Sequence, residues 1–185
     1  MTDSERDKML RGELYLASDP ELVAARVRAR RLWAEFNASD PGDDGRRASL
    51  LARLLGGIGA RVSIEPPFYC DYGSNIVLGD GVFVNFGAVL LDPGAIVLGN
   101  QVQLGPMVQL LTADHPREAA ARVAGPELAR PIRIGARAWL GGGVVVCPGV
   151  TIGEDTVVGA GSVVVRDLPA RVVAAGNPCR VIRPI

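Results

Sequence analysis

The feature that most constrains this 185-residue chain is a six-residue spacing of aliphatic side chains after residue 57. Four consecutive hexads, from Leu140 to Val163, show it in register: each opens on an aliphatic residue and carries a small or branched residue four places later. The residues in phase are Ile58, Ile64, Cys70, Ile76, then Leu78, Val84, Leu90, Ile96, then Leu98, Leu104, Leu110, and finally Ile134, Leu140, Val146, Ile152, Val158 and Val164.

This spacing predicts a mainly β solenoid. A six-residue unit fits one short strand and a corner, and three units close a triangular coil of about 18 residues. One unit cannot bury its apolar face alone, so coils must stack and place each aliphatic residue on its equivalent in the next coil. A globular sheet domain would not keep this phase for so long. We therefore expect a parallel β-helix.

The hexad register changes at three places. The phase advances by two positions from Ile76 to Leu78 and again from Ile96 to Leu98, which adds two residues to each of these coils, and we expect wider corners there. A gap of 24 residues separates Leu110 from Ile134, where a hexad step would be six. We expect about 18 residues, within the segment 111–131, to leave the coil as a loop. Long loops in compact domains are usually functional or disordered.

The residues before the β-helix show helical spacing, which divides the chain into a helical segment, 1–57, and a β-helix with a C-terminal tail, 58–185. Ser18 and Glu21 have capping-box spacing and Pro20 suits a first turn, so Ser18 is the expected N-cap of one helix. Shorter helices are expected from about Ser4 to Leu10 and from Arg46 to Leu55. The solvated face of the central helix is expected to carry Arg26, Arg28, Arg30 and Arg31.

Composition excludes several classes of protein. Lysine plus arginine number 20, as do aspartate plus glutamate, so the charge balance predicts no nucleic acid and no acidic membrane as partner. No uninterrupted apolar run reaches about 18 residues, and the charged start does not resemble a signal peptide. Cys70, Cys147 and Cys179 show no pairing pattern, so we expect reduced thiols and a cytoplasmic location.

Four segments identify a family resemblance over nearly the whole chain: Lys8–Tyr15, Ile64–Gly73, Thr112–Pro116 and Ala174–Arg183. They resemble the maltose/galactoside O-acetyltransferase family of hexapeptide-repeat acyltransferases. The resemblance implies a left-handed β-helix, a homotrimer with active sites between subunits, and acetyl transfer from acetyl-CoA to a hydroxyl, commonly of a sugar. It implies direct transfer in a ternary complex, without an acyl-enzyme. The absence of metal ligands from the sequence separately predicts no metal requirement.

His115, the only histidine, is the candidate general base. An alcohol attacks a thioester slowly unless a base accepts its proton, and imidazole has an ordinary pKa of about 6.5. The residue alone is equally compatible with a surface loop histidine. The resemblance places the catalytic base at this motif.

The resemblance also assigns the acceptor site. Asn85 corresponds to an acceptor-contacting asparagine, which would bind the sugar or stabilise charge at the thioester oxygen; a corner cap is the alternative. Asp71 and Asp92 correspond to acceptor positions, although Asp often only closes a turn. Ala17 stands where the galactoside branch has an acidic residue, which weakens a galactoside assignment.

The coenzyme is expected along stacked corners. Gly141, Gly142 and Gly143 leave room for close approach. Trp139 is a candidate groove wall, with a core-facing or trimer-packing role as the alternative. The family's coenzyme positions correspond to Gly142, Ala160, Arg166, Arg180 and Arg183. Guanidinium groups suit phosphate geometry, and solvated surface charge is the alternative.

Three other functions compete with this assignment. A β-helix metalloenzyme of the carbonic anhydrase kind needs several histidines for zinc, and this chain has one. A non-catalytic scaffold would need neither the His-Pro loop nor the terminal arginines. A related acetyltransferase would acetylate a xenobiotic alcohol, an amino-sugar or a serine hydroxyl.

Overall fold

The computed structural model describes residues 3–185, and its strands form the three faces of a parallel solenoid. Sheet 1 contains β1 (Gly57–Ile58), β4 (Ile76–Leu78), β7 (Ile96–Leu98), β12 (Ile132–Ile134) and β15 (Thr151–Ile152). Sheet 2 contains β2 (Ser63–Ile64), β5 (Phe83–Val84), β8 (Gln103–Leu104), β13 (Trp139–Leu140), β16 (Val157–Val158), β18 (Val172–Ala175) and the antiparallel β19 (Arg180–Pro184). Sheet 3 contains β3 (Phe68–Cys70), β6 (Ala88–Leu91), β9 (Gln109–Leu111), β14 (Val145–Val146) and β17 (Val163–Val164).

The hexad residues form the inner stack. Leu78 pairs with Leu98, Leu98 with Ile134, and Ile134 with Ile152, so each aliphatic side chain lies on its equivalent in the next coil. Every in-phase residue is buried except Ile58, which is 37% exposed because it belongs to the first coil. The predicted parallel β-helix is confirmed.

The two extra residues of the early coils lie partly in a strand. Ile76 and Leu78 both point inward within the three-residue strand β4, and β7 repeats this with Ile96 and Leu98. The expectation that only the corners widen is therefore incomplete, because sheet 1 also lengthens.

Three columns of corners run along the solenoid, and two of them carry the candidate site. The 2–3 corner joins sheet 2 to sheet 3 and contains residues 85–87, 105–108, 141–144 and 159–162. The 3–1 corner joins sheet 3 to sheet 1 and contains residues 71–75, 92–95, 112–131, 147–150 and 165–167. The 1–2 corner joins the remaining pair of sheets.

Three helices cover one end of the solenoid: α1 (Glu5–Arg11), α2 (Pro20–Asn37) and α3 (Asp44–Leu54). Phe36 and Leu54 belong to the same buried apolar cluster as Leu78 of the coils, so the helices close the open end of the core. The N-cap of α2 is Asp19, whose carboxylate accepts from the N–H of Glu21, and not Ser18 as the spacing predicted. Within residues 3–185, no helix combines the length and apolarity needed to cross a membrane.

The predicted loop is an ordered excursion from the 3–1 corner. It contains β10 (Ala113–Asp114), α4 (Ala119–Val123) and β11 (Leu128–Ala129). The two strands pair antiparallel, and Tyr15 extends the ladder by exchanging both backbone hydrogen bonds with Glu127 at 3.0 and 2.9 Å. The segment after α1 therefore fastens the far limb of the loop.

Candidate active site

His115 lies at the tip of the β10 strand, on the excursion from the 3–1 corner, and its side chain is exposed. Its backbone N–H donates to Oδ1 of Asp114 at 2.9 Å. Pro116 follows, and a residue before proline is held in the extended region of backbone conformation. The imidazole nitrogens form no hydrogen bond with any residue from 3 to 185, so both are available to a bound molecule.

Asn85 lies on the 2–3 corner, directly after β5. Its Oδ1 accepts the N–H of Phe86 at 2.8 Å, which is the capping role considered from the sequence. The same bond points the amide in one direction and leaves Nδ2 without a partner among the described residues. Capping and function are therefore compatible, because Nδ2 remains free to donate.

An open groove of about 320 Å³ runs beside Asn85 and contains two of the predicted coenzyme residues, Trp139 and Gly142. Trp139 is 52% exposed and forms one wall. Ala160 is exposed on the next coil, where its backbone nitrogen lies against Gly141. The groove is lined by Phe83, Asn85, Gln103, Leu104, Gly105, Pro106, Trp139, Gly141 and Gly142.

Coil packing and backbone conformation explain two glycines of this corner, Gly141 and Gly143, for which the sequence suggested room for the coenzyme. A Cβ added to Gly141 would lie 2.7 Å from the backbone nitrogen of Ala160, so the next coil itself occupies that space. Gly143 has a φ of +69°, a left-handed conformation that favours glycine. Room for a coenzyme is thus not needed to explain these two residues.

Asp71 lines a second cavity, of about 240 Å³, between the 3–1 corner, α2 and the excursion. Burial raises the pKa of Asp71, while the nearby Arg26 and Arg30 act to lower it. The carboxylate forms no hydrogen bond or ion pair with residues 3–185. The cavity is lined by Tyr15, Ala17, Arg26, Arg30, Asp71, Tyr72, Pro93 and Glu127.

Glu127 is a site residue that the sequence did not reveal. Its Oε2 accepts the hydroxyl of Tyr15 at 3.0 Å, which places its carboxylate in the same cavity as Asp71. No motif or spacing pointed to it, because its position depends on how the excursion folds back onto Tyr15.

Arg26 is also placed differently from expectation. Its guanidinium donates to the Tyr72 hydroxyl and to the Ala17 carbonyl, both at 2.6 Å, and is half-buried. It is a wall of the cavity and not part of a wholly solvated face.

Asp92 is fully buried, so its predicted contact with an acceptor requires correction. Its carboxylate accepts the N–H groups of Asp71 at 3.1 Å, Tyr72 at 2.8 Å and Asn75 at 3.2 Å. Asp92 therefore fixes the corner that presents Asp71, without reaching the cavity itself.

The predicted arginine cluster is only partly assembled. Arg166 and Arg180 line a cavity of about 140 Å³ at the last coil, and neither forms an ion pair with the described residues. Arg183 is not among the residues that line this cavity, and its Nη1 donates to the Pro184 carbonyl at 3.2 Å.

The candidate residues divide between two corners of one chain. Asn85, Gly142 and Ala160 belong to the 2–3 corner, whereas Asp71, His115 and Arg166 belong to the 3–1 corner. Sheet 3 separates these corners, and a four-residue strand such as β6 is about 13 Å long. Across residues 3–185, no group of three or more His, Cys, Asp or Glu side chains is arranged to hold a metal ion.

A β-helix of hexads, capped by helices and interrupted by a His-Pro excursion, defines the class of hexapeptide-repeat acyltransferases. The profile of the maltose acetyltransferase hexapeptide capping motif matches residues 8–59, and that of the bacterial transferase hexapeptide, six repeats, matches residues 131–166.

Relatives identify the family within this class. The galactoside O-acetyltransferase of Escherichia coli (strain K12) is 40% identical over 97% of this chain and 88% of its own. The crystal structure of a maltose O-acetyltransferase from Clostridium difficile 630 superposes with a TM-score of 0.98, at 42% identity, over 100% of this chain and 99% of that one. A hexapeptide-repeat acetyltransferase from Vibrio cholerae O1 biovar eltor, complexed with acetyl coenzyme A, has a TM-score of 0.92 at 39% identity over 98% of each chain. The chain belongs to the maltose/galactoside O-acetyltransferase family of hexapeptide-repeat acyltransferases, and it is an acetyltransferase.

Proposed function

We propose that the protein transfers an acetyl group from acetyl-CoA to a hydroxyl of a maltose- or glucose-type sugar, with His115 as general base. The observation that carries this proposal is the exposed imidazole, which has no hydrogen-bond partner among residues 3–185. The backbone that carries it is held by the hydrogen bond from the His115 N–H to the Asp114 carboxylate. The acceptor oxygen attacks the thioester carbonyl while imidazole takes the hydroxyl proton. Collapse of the tetrahedral intermediate expels the CoA thiolate, which recovers that proton from imidazolium. No acyl-enzyme forms.

Asn85 would act on the same reaction through its free Nδ2. An amide N–H that is already oriented can donate to the oxygen that becomes negative in the transition state. Donation to an acceptor hydroxyl is the other role open to it. In both roles the bond from Phe86 to Oδ1 fixes the direction of the donor.

The groove beside Asn85 is the proposed binding site of the pantetheine arm of acetyl-CoA. Trp139 and Gly142 line this groove, and Ala160 lies on the same corner of the next coil. Arg166 and Arg180 are proposed to hold the phosphates, because both residues are exposed and neither forms an ion pair with the described residues. Arg180 Nη1 donates to the Cys179 carbonyl at 2.8 Å, which leaves its other N–H groups for a phosphate. The acetyl-CoA complex of the Vibrio cholerae relative supports this use of the coenzyme. Arg183, which lies outside the cavity lined by Arg166 and Arg180, is proposed as a further phosphate contact.

We propose a homotrimer in which two copies build each site. The corner with Asn85 and the corner with His115 lie at opposite ends of the strands of sheet 3. One copy therefore presents Asn85 on one side of this sheet and His115 on the other, and a neighbouring copy would have to complete each site. The outward face of sheet 3 is mainly apolar, and Phe86 and Met107 beside it are 55% and 59% exposed. Residues of this kind are typical of an interface core.

The three free cysteines support a reducing compartment such as the cytoplasm.

The cavity around Asp71 favours a sugar over a hydrophobic xenobiotic alcohol. Its lining is rich in hydrogen-bonding groups: two carboxylates, two guanidinium groups and two phenolic hydroxyls. Such a lining suits an acceptor with several hydroxyls, because each buried polar group needs a partner.

The test is release of free thiol from acetyl-CoA with maltose, glucose, a β-galactoside, an amino-sugar, serine and chloramphenicol as acceptors. We expect release that depends on a sugar and is lost in His115→Ala by about 10²- to 10⁴-fold. Cys147→Ser is the matched control, since Cys147 lies on the same corner and direct transfer needs no thiol. Wild-type turnover in His115→Ala, or loss of turnover in Cys147→Ser, would contradict the mechanism.

A further inference from the structure

Asp114 connects His115 to the rest of the molecule through both of its carboxylate oxygens. Oδ1 accepts the backbone N–H of His115 at 2.9 Å, and Oδ2 accepts Nη2 of Arg130. The side chain of Asp114 is 21% exposed, and that of Arg130 is 49% exposed. One carboxylate therefore joins the histidine backbone to the opposite limb of the excursion.

The backbone ladder of the excursion ends just before His115. Ala113 pairs with Ala129 and Asp114 with Leu128, and the N–H of Arg130 donates to Thr112 at 2.9 Å. The N–H of His115 finds its acceptor in a side chain and not in the ladder. Pro116 has no N–H to donate, and the next hydrogen bonds along this backbone run from Arg122 Nη1 to the carbonyls of Pro116 and Arg117, both at 3.3 Å. The Asp114 carboxylate is therefore the group that holds the N–H of His115 itself.

Arg130, which binds the Asp114 carboxylate, packs against the next coil at Gly149. A Cβ added to Gly149 would lie 3.4 Å from Cβ and 3.5 Å from Cδ of Arg130, so the arginine stem lies directly against that corner. Partial burial acts to raise the pKa of Asp114, but the His115 N–H and the Arg130 ion pair outweigh it and hold the pKa below its ordinary value. The carboxylate is thus charged while it holds the histidine.

We infer that Asp114, held by Arg130, is the positioning residue for His115: its carboxylate fixes the histidine backbone so that the imidazole meets the acceptor hydroxyl. This inference rests on the proposed role of His115. A catalytic group displaced by about 1 Å can lose about 10²-fold in rate. Loss of this hold should therefore slow the transfer step and leave the binding of both substrates intact.

The experiment compares kcat and both KM values in Asp114→Ala, Asp114→Asn, Arg130→Ala and the double variant Asp114→Ala/Arg130→Ala. We expect Asp114→Ala to lower kcat by about 10- to 100-fold with unchanged KM values. Asp114→Asn keeps an oxygen that accepts the His115 N–H but loses the ion pair with Arg130, so it should recover part of the loss. Arg130→Ala, which keeps the carboxylate but removes its support, should likewise lower kcat by less than Asp114→Ala does. The double variant should be no slower than Asp114→Ala, because both residues act through one contact.

The matched control is Asp155→Ala, which removes an aspartate–arginine pair of the same kind, with Arg137 Nε at 2.6 Å, from the distant 1–2 corner. It should leave kcat unchanged. Wild-type kcat in Asp114→Ala, or an Asp114→Asn variant as slow as Asp114→Ala, would overturn the inference. His115→Ala separates the two proposals: if it is inactive while Asp114→Ala is fully active, only the positioning role fails.

Discussion

Asn85 and His115 lie on different corners of the same solenoid, one at each end of sheet 3. Asn85 follows β5 on the 2–3 corner, and His115 follows β10 on the excursion from the 3–1 corner. The predicted coenzyme residues divide in the same way, with Gly142 beside Asn85 and Arg166 on the corner of His115. In the proposed trimer, one copy would therefore contribute Asn85 to one active site and His115 to another.

Asn85→Asp tests the donor role of the amide. The carboxylate still accepts the Phe86 N–H but cannot donate, and it adds negative charge beside a developing oxyanion. We expect kcat to fall by about 10²- to 10³-fold, as for removal of other oxyanion donors. Steady-state kinetics separate the two roles. A higher KM for the acceptor at unchanged kcat would assign Asn85 to acceptor binding, whereas a lower kcat would assign it to the oxyanion. Unchanged kinetics would exclude both roles.

Arg180→Ala tests the phosphate contact. Its guanidinium lines the terminal cavity with Arg166 and forms no ion pair with residues 3–185, so its removal should mainly weaken coenzyme binding. We expect a higher KM for acetyl-CoA at nearly unchanged kcat, measured by thiol release. Arg137→Ala, which removes the same charge from the 1–2 corner, should change neither value. An equal effect of both substitutions would move the phosphate contact elsewhere.

Asp92 gives a pH dependence of stability with a defined sign. Burial raises the pKa of Asp92 to about 6, although hydrogen bonds from the backbone of residues 72–75 oppose it. The ordinary pKa of an aspartate is about 3.9, so folding stabilises the protonated form over the charged form by about 3 kcal/mol relative to the unfolded chain. This contribution is present below about pH 4 and is lost as the pH rises through about 6.

The measurement is the free energy of unfolding of the wild type and of Asp92→Asn between pH 4 and 7.5, at equal protein concentration. The advantage of the wild type over the variant should shrink as the pH rises. An advantage that grows with pH would show that the hydrogen bonds outweigh burial and that the fold selects the carboxylate.

The sequence predicted the core far better than the site. Every in-phase residue from Ile64 to Val164 is buried as predicted, because one physical rule, burial of the repeat face, decides them all. The error at Ser18 is local: with Pro20 at the first helical position, the cap falls on Asp19.

The site residues depend on contacts that no spacing encodes. Arg26 reaches Tyr72, and Tyr15 pairs with Glu127, across 46 and 112 positions of the chain. The link from Asp114 to Arg130 exists only because the two limbs of the excursion pair antiparallel. Asp92 matched an acceptor position by resemblance, yet its burial assigns it to the corner behind that position.

The most direct test of a site built by two copies is complementation between inactive variants. Asn85→Ala and His115→Ala protomers, each inactive alone, are mixed in equal amounts, unfolded together and refolded, and thiol release is measured with the best acceptor. If each site takes Asn85 from one copy and His115 from the next, random trimers regain about one quarter of wild-type activity. The same proteins refolded separately and then combined should stay inactive. No recovery on joint refolding, with trimers formed normally, would contradict the account, because both residues would then have to act from one chain.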